Sequence, residues 1–127
     1  HLALFAPEHG VLVAGDMCSD AEVPLLDLEG ADPLGDYRRG LELLASVSGV
    51  RHLVPGHGHA TDADGFRRRV DADRRYLDSL DADRSTTGRL CSERLSSGRA
   101  AEDPRLDDPA MRAEHERQLR VLRDLGL

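Results

Sequence analysis

The sequence predicts an α/β fold, a small mixed sheet with helices on its outer face and a helical C-terminal extension. Three observations lead there. Short apolar runs bounded by Gly and Pro open the chain, as strands do. A strand–helix–strand order follows, with Asp and His at the strand ends. Apolar stripes at helical spacing, set among Arg and Asp, fill the remainder.

Leu2 to Pro7 (LALFAP) and Val11 to Asp16 (VLVAGD) read as a hairpin joined by EHG, with Gly10 available for a positive φ. Val11, Leu12 and Val13 form a near-continuous apolar run, as expected of a strand covered on both faces. Gly15 and Asp16 end that strand and leave a carboxylate at its C-terminal edge. Residues 17–35 hold Pro24, Gly30, Pro33 and Gly35 among Asp and Glu, the composition of a long irregular loop of the kind that carries function. Asp36 reads as the N-cap of a helix from Tyr37 to about Val47, with Tyr37, Leu41, Leu44 and Val47 on its apolar stripe and Gly49 closing it.

Val50 to Val54 reads as the next strand and runs into PGHGH. From Thr61 onward the pattern is helical, with Phe66, Val70, Leu77 and Leu80 on one stripe. The string DADR occurs at Asp71–Arg74 and again at Asp81–Arg84 and reads as a solvated charged face. Asp81 to Ala101 is interrupted by Gly88 and Gly98 and reads as loop or short helices. Asp108 and Pro109 start a last helix by N-cap and N1 logic, with Met111, Leu119, Leu122 and Leu125 on its apolar face and Gly126 as its stop. The expected division is residues 1–80 as the α/β unit and 81–127 as a helical extension packed on the same domain.

The 127 residues fit one domain, and 39% apolar content is enough for a modest core. With only 3% aromatics and no Trp, that core must be built from Leu, Val and Ala. All 17 basic residues are Arg, dispersed in a chain of net charge −7, which argues against a nucleic-acid surface. Cys18 and Cys91 form no metal-binding or disulfide pattern and read as free thiols of a reducing, cytoplasmic compartment. No apolar run approaches the roughly 20 residues needed to cross a membrane, and no signal peptide is present. The chain opens on His1 rather than Met and runs directly into a strand, so a preceding segment is expected.

Two positions stand out chemically. Asp16 follows a strand of buried type, and His57 projects from a turn fixed by Pro55, Gly56 and Gly58. A carboxylate and a neutral imidazole at neighbouring strand ends suit Zn²⁺ or a similar divalent ion. Singly, each has a plain alternative, since an Asp there is commonly a cap and a His there commonly a surface residue. The ordered combination VLVAGD, a Pro/Gly loop and helix, then VRHLVPGHG resembles the C-terminal half of the metallo-β-lactamase superfamily, over roughly residues 1–80. That resemblance implies half of an αββα sandwich. It also implies that Asp16 bridges two metal ions and that His57 completes the shell of the second.

The resemblance further implies two Zn²⁺ per complete domain and a metal-bound hydroxide that attacks an ester, thioester, amide or phosphoester of a small-molecule substrate. The family's H-x-H-x-D-H string, which supplies most of the ligands, does not occur in this chain. Asp16 and His57 alone leave a tetrahedral shell two ligands short, so the missing N-terminal half is the expected partner. Without that half, one face of the sheet is expected to expose apolar surface, which favours self-association. The spacing of His1 to Asp16 matches a family position that is not a ligand.

His59 is a candidate for supporting or substrate-facing roles. His9 and His52 read as structural, His115 as part of a solvated face, and Cys18 as a small buried thiol near the site. The rival readings are a non-catalytic half-domain that serves as a binding or regulatory module and, more weakly, a helical interaction segment.

Overall fold

A computed structural model describes residues 2–85 and 103–126. A four-stranded sheet follows chain order: β1 (Leu4–Ala6), β2 (Val11–Val13), β3 (His52–Val54) and β4 (Thr61–Asp62). Helix α1 (Pro33–Ala45) connects β2 to β3, α2 (Ala63–Ser85) follows β4, and a 3-10 turn (Pro104–Asp107) leads into α3 (Pro109–Asp124). His1, Cys91, Gly88, Gly98 and the break expected between residues 86 and 101 lie outside the described residues. No described helix is long and apolar enough to cross a membrane.

β1 and β2 form the expected antiparallel hairpin, with Phe5 opposite Leu12. The chain then crosses over through α1, so β3 lies parallel to β2, with Leu12 opposite Leu53. A crossover of this kind is what a parallel pair requires. Leu12 and Leu53 are 1% and 0% exposed and join Leu41, Leu77 and Leu80 in one apolar core.

The opposite sheet face is uncovered. Leu4, Val13 and Val54 sit side by side in register across β1, β2 and β3, and are 63%, 39% and 38% exposed. The Val11–Val13 run is therefore buried on one face only, against the expectation of a strand covered on both. The three helices share the Leu12 and Leu53 side, and nothing in the described residues packs on the other.

Helix α1 starts earlier than the sequence suggested. Asp32, not Asp36, is the N-cap and accepts a hydrogen bond from the Gly35 N–H at 3.0 Å, with Pro33 in the first helical position. Asp36 falls inside the first turn and pairs with Arg39. Thr61 and Asp62 pair with Leu53 and His52 instead of opening the helix. Asp62 then accepts from the Gly65 N–H at 2.8 Å and so fixes the start of α2. That helix runs on through Asp81 to Ser85, across the boundary expected at residue 80. Helix α3 begins at Pro109 with Asp108 as its N-cap, as the sequence indicates, but Leu125 is 47% exposed and takes no part in its buried face.

Of the positions read as solvated, Asp73 is interior and His115 is half-buried. Asp73, within the first DADR string, is 1% exposed and pairs with Arg105 at 2.6 Å. Burial pushes the Asp73 carboxyl above the usual carboxylate range, against the opposing pull of Arg105 and of the Cys18 N–H. His115 is half-buried against Tyr76, with Nδ1 3.1 Å from the phenol oxygen. Gln118 is fully buried; it donates to Pro24 O at 3.1 Å and accepts from Leu26 N at 3.3 Å, which ties the loop before α1 to α3.

Removing Arg105 leaves Asp73 a buried charge with no ionic partner, whereas removing Asp73 leaves Arg105 its contact with Asp103 at 2.7 Å. Arg105→Ala is therefore expected to destabilise the protein by roughly 3–5 kcal/mol in urea denaturation and Asp73→Ala by less, whereas Asp71→Ala in the same helix should have little effect. Burial lowers the His115 pKa below 6.5, so the folded chain resists a proton that the unfolded chain accepts. The stabilisation from a neutral His115 is complete above that ordinary value and is lost as pH falls through the lower folded one. The melting temperature should therefore decline from about pH 7 to about pH 5, and less steeply in His115→Gln.

Candidate functional site

The parallel ladder between β2 and β3 continues past the strand ends. Ala14 N donates to Val54 O at 3.1 Å, and Gly56 N donates to Gly15 O at 2.7 Å. Extending the Val13–Val54 register by three residues brings Asp16 opposite His57. Their side chains meet accordingly, with Asp16 Oδ1 3.8 Å from His57 Nε2 and exposures of 49% and 59%.

Both glycines of PGHG are required by close approach. A Cβ on Gly56 would stand 3.0 Å from Asp16 Oδ1 and 3.2 Å from Gly15 O. Gly58 has φ +93°, and a Cβ there would collide with the Asp20 carboxylate. The turn that presents His57 thus packs its backbone against the loop that follows Asp16.

That loop is fixed from below. Cys18 adopts φ +58°, unusual for a side chain with a Cβ, and its N–H donates to Asp73 Oδ2 at 3.2 Å. Ser19 Oγ donates to His57 O at 2.9 Å and accepts from the N–H groups of Ala21 and Glu22, both at 3.0 Å. Arg105 donates to Ser19 O at 3.2 Å and to Glu22 O at 3.1 Å. The Cys18 thiol is fully buried, and burial followed by the charge of Asp73 pushes its pKa up to about 12. It remains a neutral thiol, unsuited to ligation at neutral pH.

His57 faces two carboxylates. Asp16 lies on its Nε2 side, and Glu22 Oε1 lies 3.5 Å from Nδ1. His59 is held apart, its backbone N–H and its Nδ1 at 2.9 and 3.1 Å from Asp20, which also pairs with Arg69 at 3.2 Å. Burial works against the Asp20 charge, but the His59 contacts and Arg69 outweigh it and hold the carboxyl below its ordinary range. With its carboxylate so occupied, Asp20 leaves Asp16 and His57 as the open pair. His9 and His52 are both exposed, in the hairpin turn and in β3.

The Asp16–His57 separation is compatible with one shared cation. It is shorter than two successive metal–ligand bonds of roughly 2.0–2.2 Å each. Among the described residues, no group of three or more His, Cys, Asp or Glu is arranged to hold a metal ion. The reason at this site is visible, since Asp16 and Glu22 approach different nitrogens of the same ring.

The structure brings together Asp16 and His57, the two residues the sequence singles out, with Ser19, Asp20, Glu22, Asp73 and Arg105, which sequence reasoning missed. Asp73 carried a signal. It continues the series Phe66, Val70, Asp73, Leu77, Leu80 on the buried stripe of α2, where a carboxylate demands a partner. Comparison of the chain with protein-family models, curated proteins and solved structures finds no match.

Gly58→Ala should be strained by its positive φ and should break the Asp20–His59 contact. A destabilisation of roughly 1–3 kcal/mol in thermal unfolding is expected, with loss of the His59 N–H chemical shift characteristic of a carboxylate-bound amide.

Proposed function

We propose that this chain is the C-terminal portion of a metal-dependent hydrolase of the metallo-β-lactamase superfamily, with Asp16 and His57 as cation ligands. The observation that carries this reading is the 3.8 Å approach of Asp16 Oδ1 to His57 Nε2 across adjacent parallel strand ends. Ligand-type residues converging outside the carboxyl ends of parallel strands are the usual anatomy of an α/β site. A bound Zn²⁺ pair would supply an activated water at neutral pH and electrophilic stabilisation of the developing negative charge. The chain's own contribution is to hold Asp16 and His57 in place: the β2–β3 register sets their spacing, Ser19 clamps the His57 carbonyl, and Gly56 gives the Asp16 carboxylate room.

The remaining ligands, under this reading, come from a preceding half-domain that also covers Leu4, Val13 and Val54, completing the αββα sandwich. Substrates are small molecules with an ester, thioester, amide or phosphoester bond, and the setting is the cytoplasm. The exposed apolar row favours a second reading, a non-catalytic half-domain that binds or regulates another polypeptide through that face.

In the polypeptide that carries the complete domain, Asp16→Ala and His57→Ala are expected to lower bound zinc and abolish hydrolysis of a panel of activated esters, thioesters and phosphodiesters. Wild-type metal content in both variants would overturn the hydrolase reading. Full metal content and activity in Val13→Asp, together with lost binding to a partner polypeptide, would favour the second.

A further inference from the structure

We infer that Glu22 is a positioning residue for His57, holding the proton on Nδ1 so that Nε2 is left free to face Asp16. This rests on the reading of His57 as a cation ligand and adds to it a residue outside the ligand set.

Three independent features of Glu22 support the inference. Its Oε1 lies 3.5 Å from His57 Nδ1, an ion-pair distance slightly longer than a hydrogen bond, on the ring edge away from Asp16. Its backbone is gripped at both ends, the N–H by Ser19 Oγ at 3.0 Å and the carbonyl by Arg105 at 3.1 Å. The same Ser19 hydroxyl donates to His57 O, so one side chain ties the backbones of Glu22 and His57 together. Finally, Glu22 Oε2 is buried and has no hydrogen-bond partner among the described residues. A buried carboxylate oxygen left unpaired is costly, and a surface Glu would ordinarily turn outward to avoid it. Its retention toward the imidazole is explained if the carboxylate serves the ring.

The chemistry follows from the imidazole itself. A neutral ring carries one proton, and the nitrogen without it is the one able to bind a cation. Of the two carboxylates beside the ring, Glu22 is the nearer and the more buried, and so favours the Nδ1–H form over the Nε2–H form that Asp16 alone would favour, leaving the Nε2 lone pair directed toward Asp16. Ligating histidines generally have their other nitrogen held in this way by a carboxylate or carbonyl, and loss of that partner weakens metal binding about 10–100-fold. Asp16 cannot do this work, because it lies on the Nε2 side.

The test is the tautomer, read without metal. Long-range ¹H–¹⁵N correlation spectra of the full chain, recorded well above the ordinary imidazole range, report which ring nitrogen of each histidine carries the proton. His57 is expected in the Nδ1–H form, against the Nε2–H reference form of a free neutral imidazole. Glu22→Ala should move His57 to the reference form, and Glu22→Gln, whose amide oxygen still accepts, should restore the Nδ1–H form. A predominantly Nε2–H His57 in the unmutated protein would overturn the inference, whatever the variants do. So would an Nδ1–H form that persists in a folded Glu22→Ala. Zinc titration separates the two layers. A 10–100-fold weaker affinity in Glu22→Ala than in Glu22→Gln supports both, whereas equal zinc binding by the wild type and His57→Ala, with the tautomer response intact, defeats only the cation-ligand reading.

Discussion

The ion pair between Asp73 and Arg105 joins three parts of the chain through buried polar groups, inside the core that Cys18, Tyr76, Leu77 and Leu106 also share. Asp73 lies mid-helix in α2, Arg105 lies in the 3-10 turn before α3, and between them they bind the backbone at Cys18, Ser19 and Glu22. With side chains 1% and 5% exposed, neither charge is offset by solvent. The desolvation cost is large and must be met by good geometry and additional hydrogen bonds. Here those bonds come from a loop that has no regular structure of its own. Its Cys18 stands at a positive φ, a conformation that persists only where the surroundings dictate it. The pair contributes less as net stabilisation than as specification. An apolar pair of equal volume would fill the space but would leave the Cys18 N–H and two carbonyls unpaired.

From that anchored loop the site is assembled by strand geometry. Parallel pairing with unbroken register puts Asp16 and His57 side by side, so their approach does not depend on a flexible loop finding its conformation. The loop contributes the remaining contacts: Ser19 to the His57 carbonyl, Glu22 to Nδ1, and Asp20 to His59. Arg105 thereby reaches His57 at two removes, its imidazole through Glu22 and its carbonyl through Ser19. A substitution deep in the interior would disturb His57 without touching it. This coupling runs through the hydrogen bonds of Arg105 and Ser19 and the ion-pair contact of Glu22.

Much of this architecture was legible in the sequence. The hairpin, the strand before PGHG, the Asp108–Pro109 start of α3 and the two strand-end residues follow from local signals, namely apolar runs, caps and glycines. What escaped depends on partners distant along the chain. Asp73 and Arg105 are 32 positions apart, and only the place of Asp73 on an apolar stripe betrayed the burial. Asp32 and Asp36 offer competing caps four residues apart, and Pro33 decides between them. Thr61 and Asp62 enter a strand because β3 presents a free edge, a fact of tertiary structure. Val11 to Val13 has the composition of a doubly covered strand but has one covered face here. Local composition reports what a face suits, and cannot report whether the chain supplies the cover.

That uncovered face and the Asp16–His57 pair belong to the same two strands. Val13 and Val54 precede Asp16 and His57 by three residues each, about 10 Å along a strand. Any polypeptide that packs on the Leu4–Val13–Val54 row therefore lies within one side-chain length or two of the site along the strands. Covering the row would remove apolar surface from water, the dominant favourable contribution to association. A partner that also reached the pair would exclude water from a carboxylate and an imidazole that are about half exposed, and so strengthen the electrostatic interaction between them.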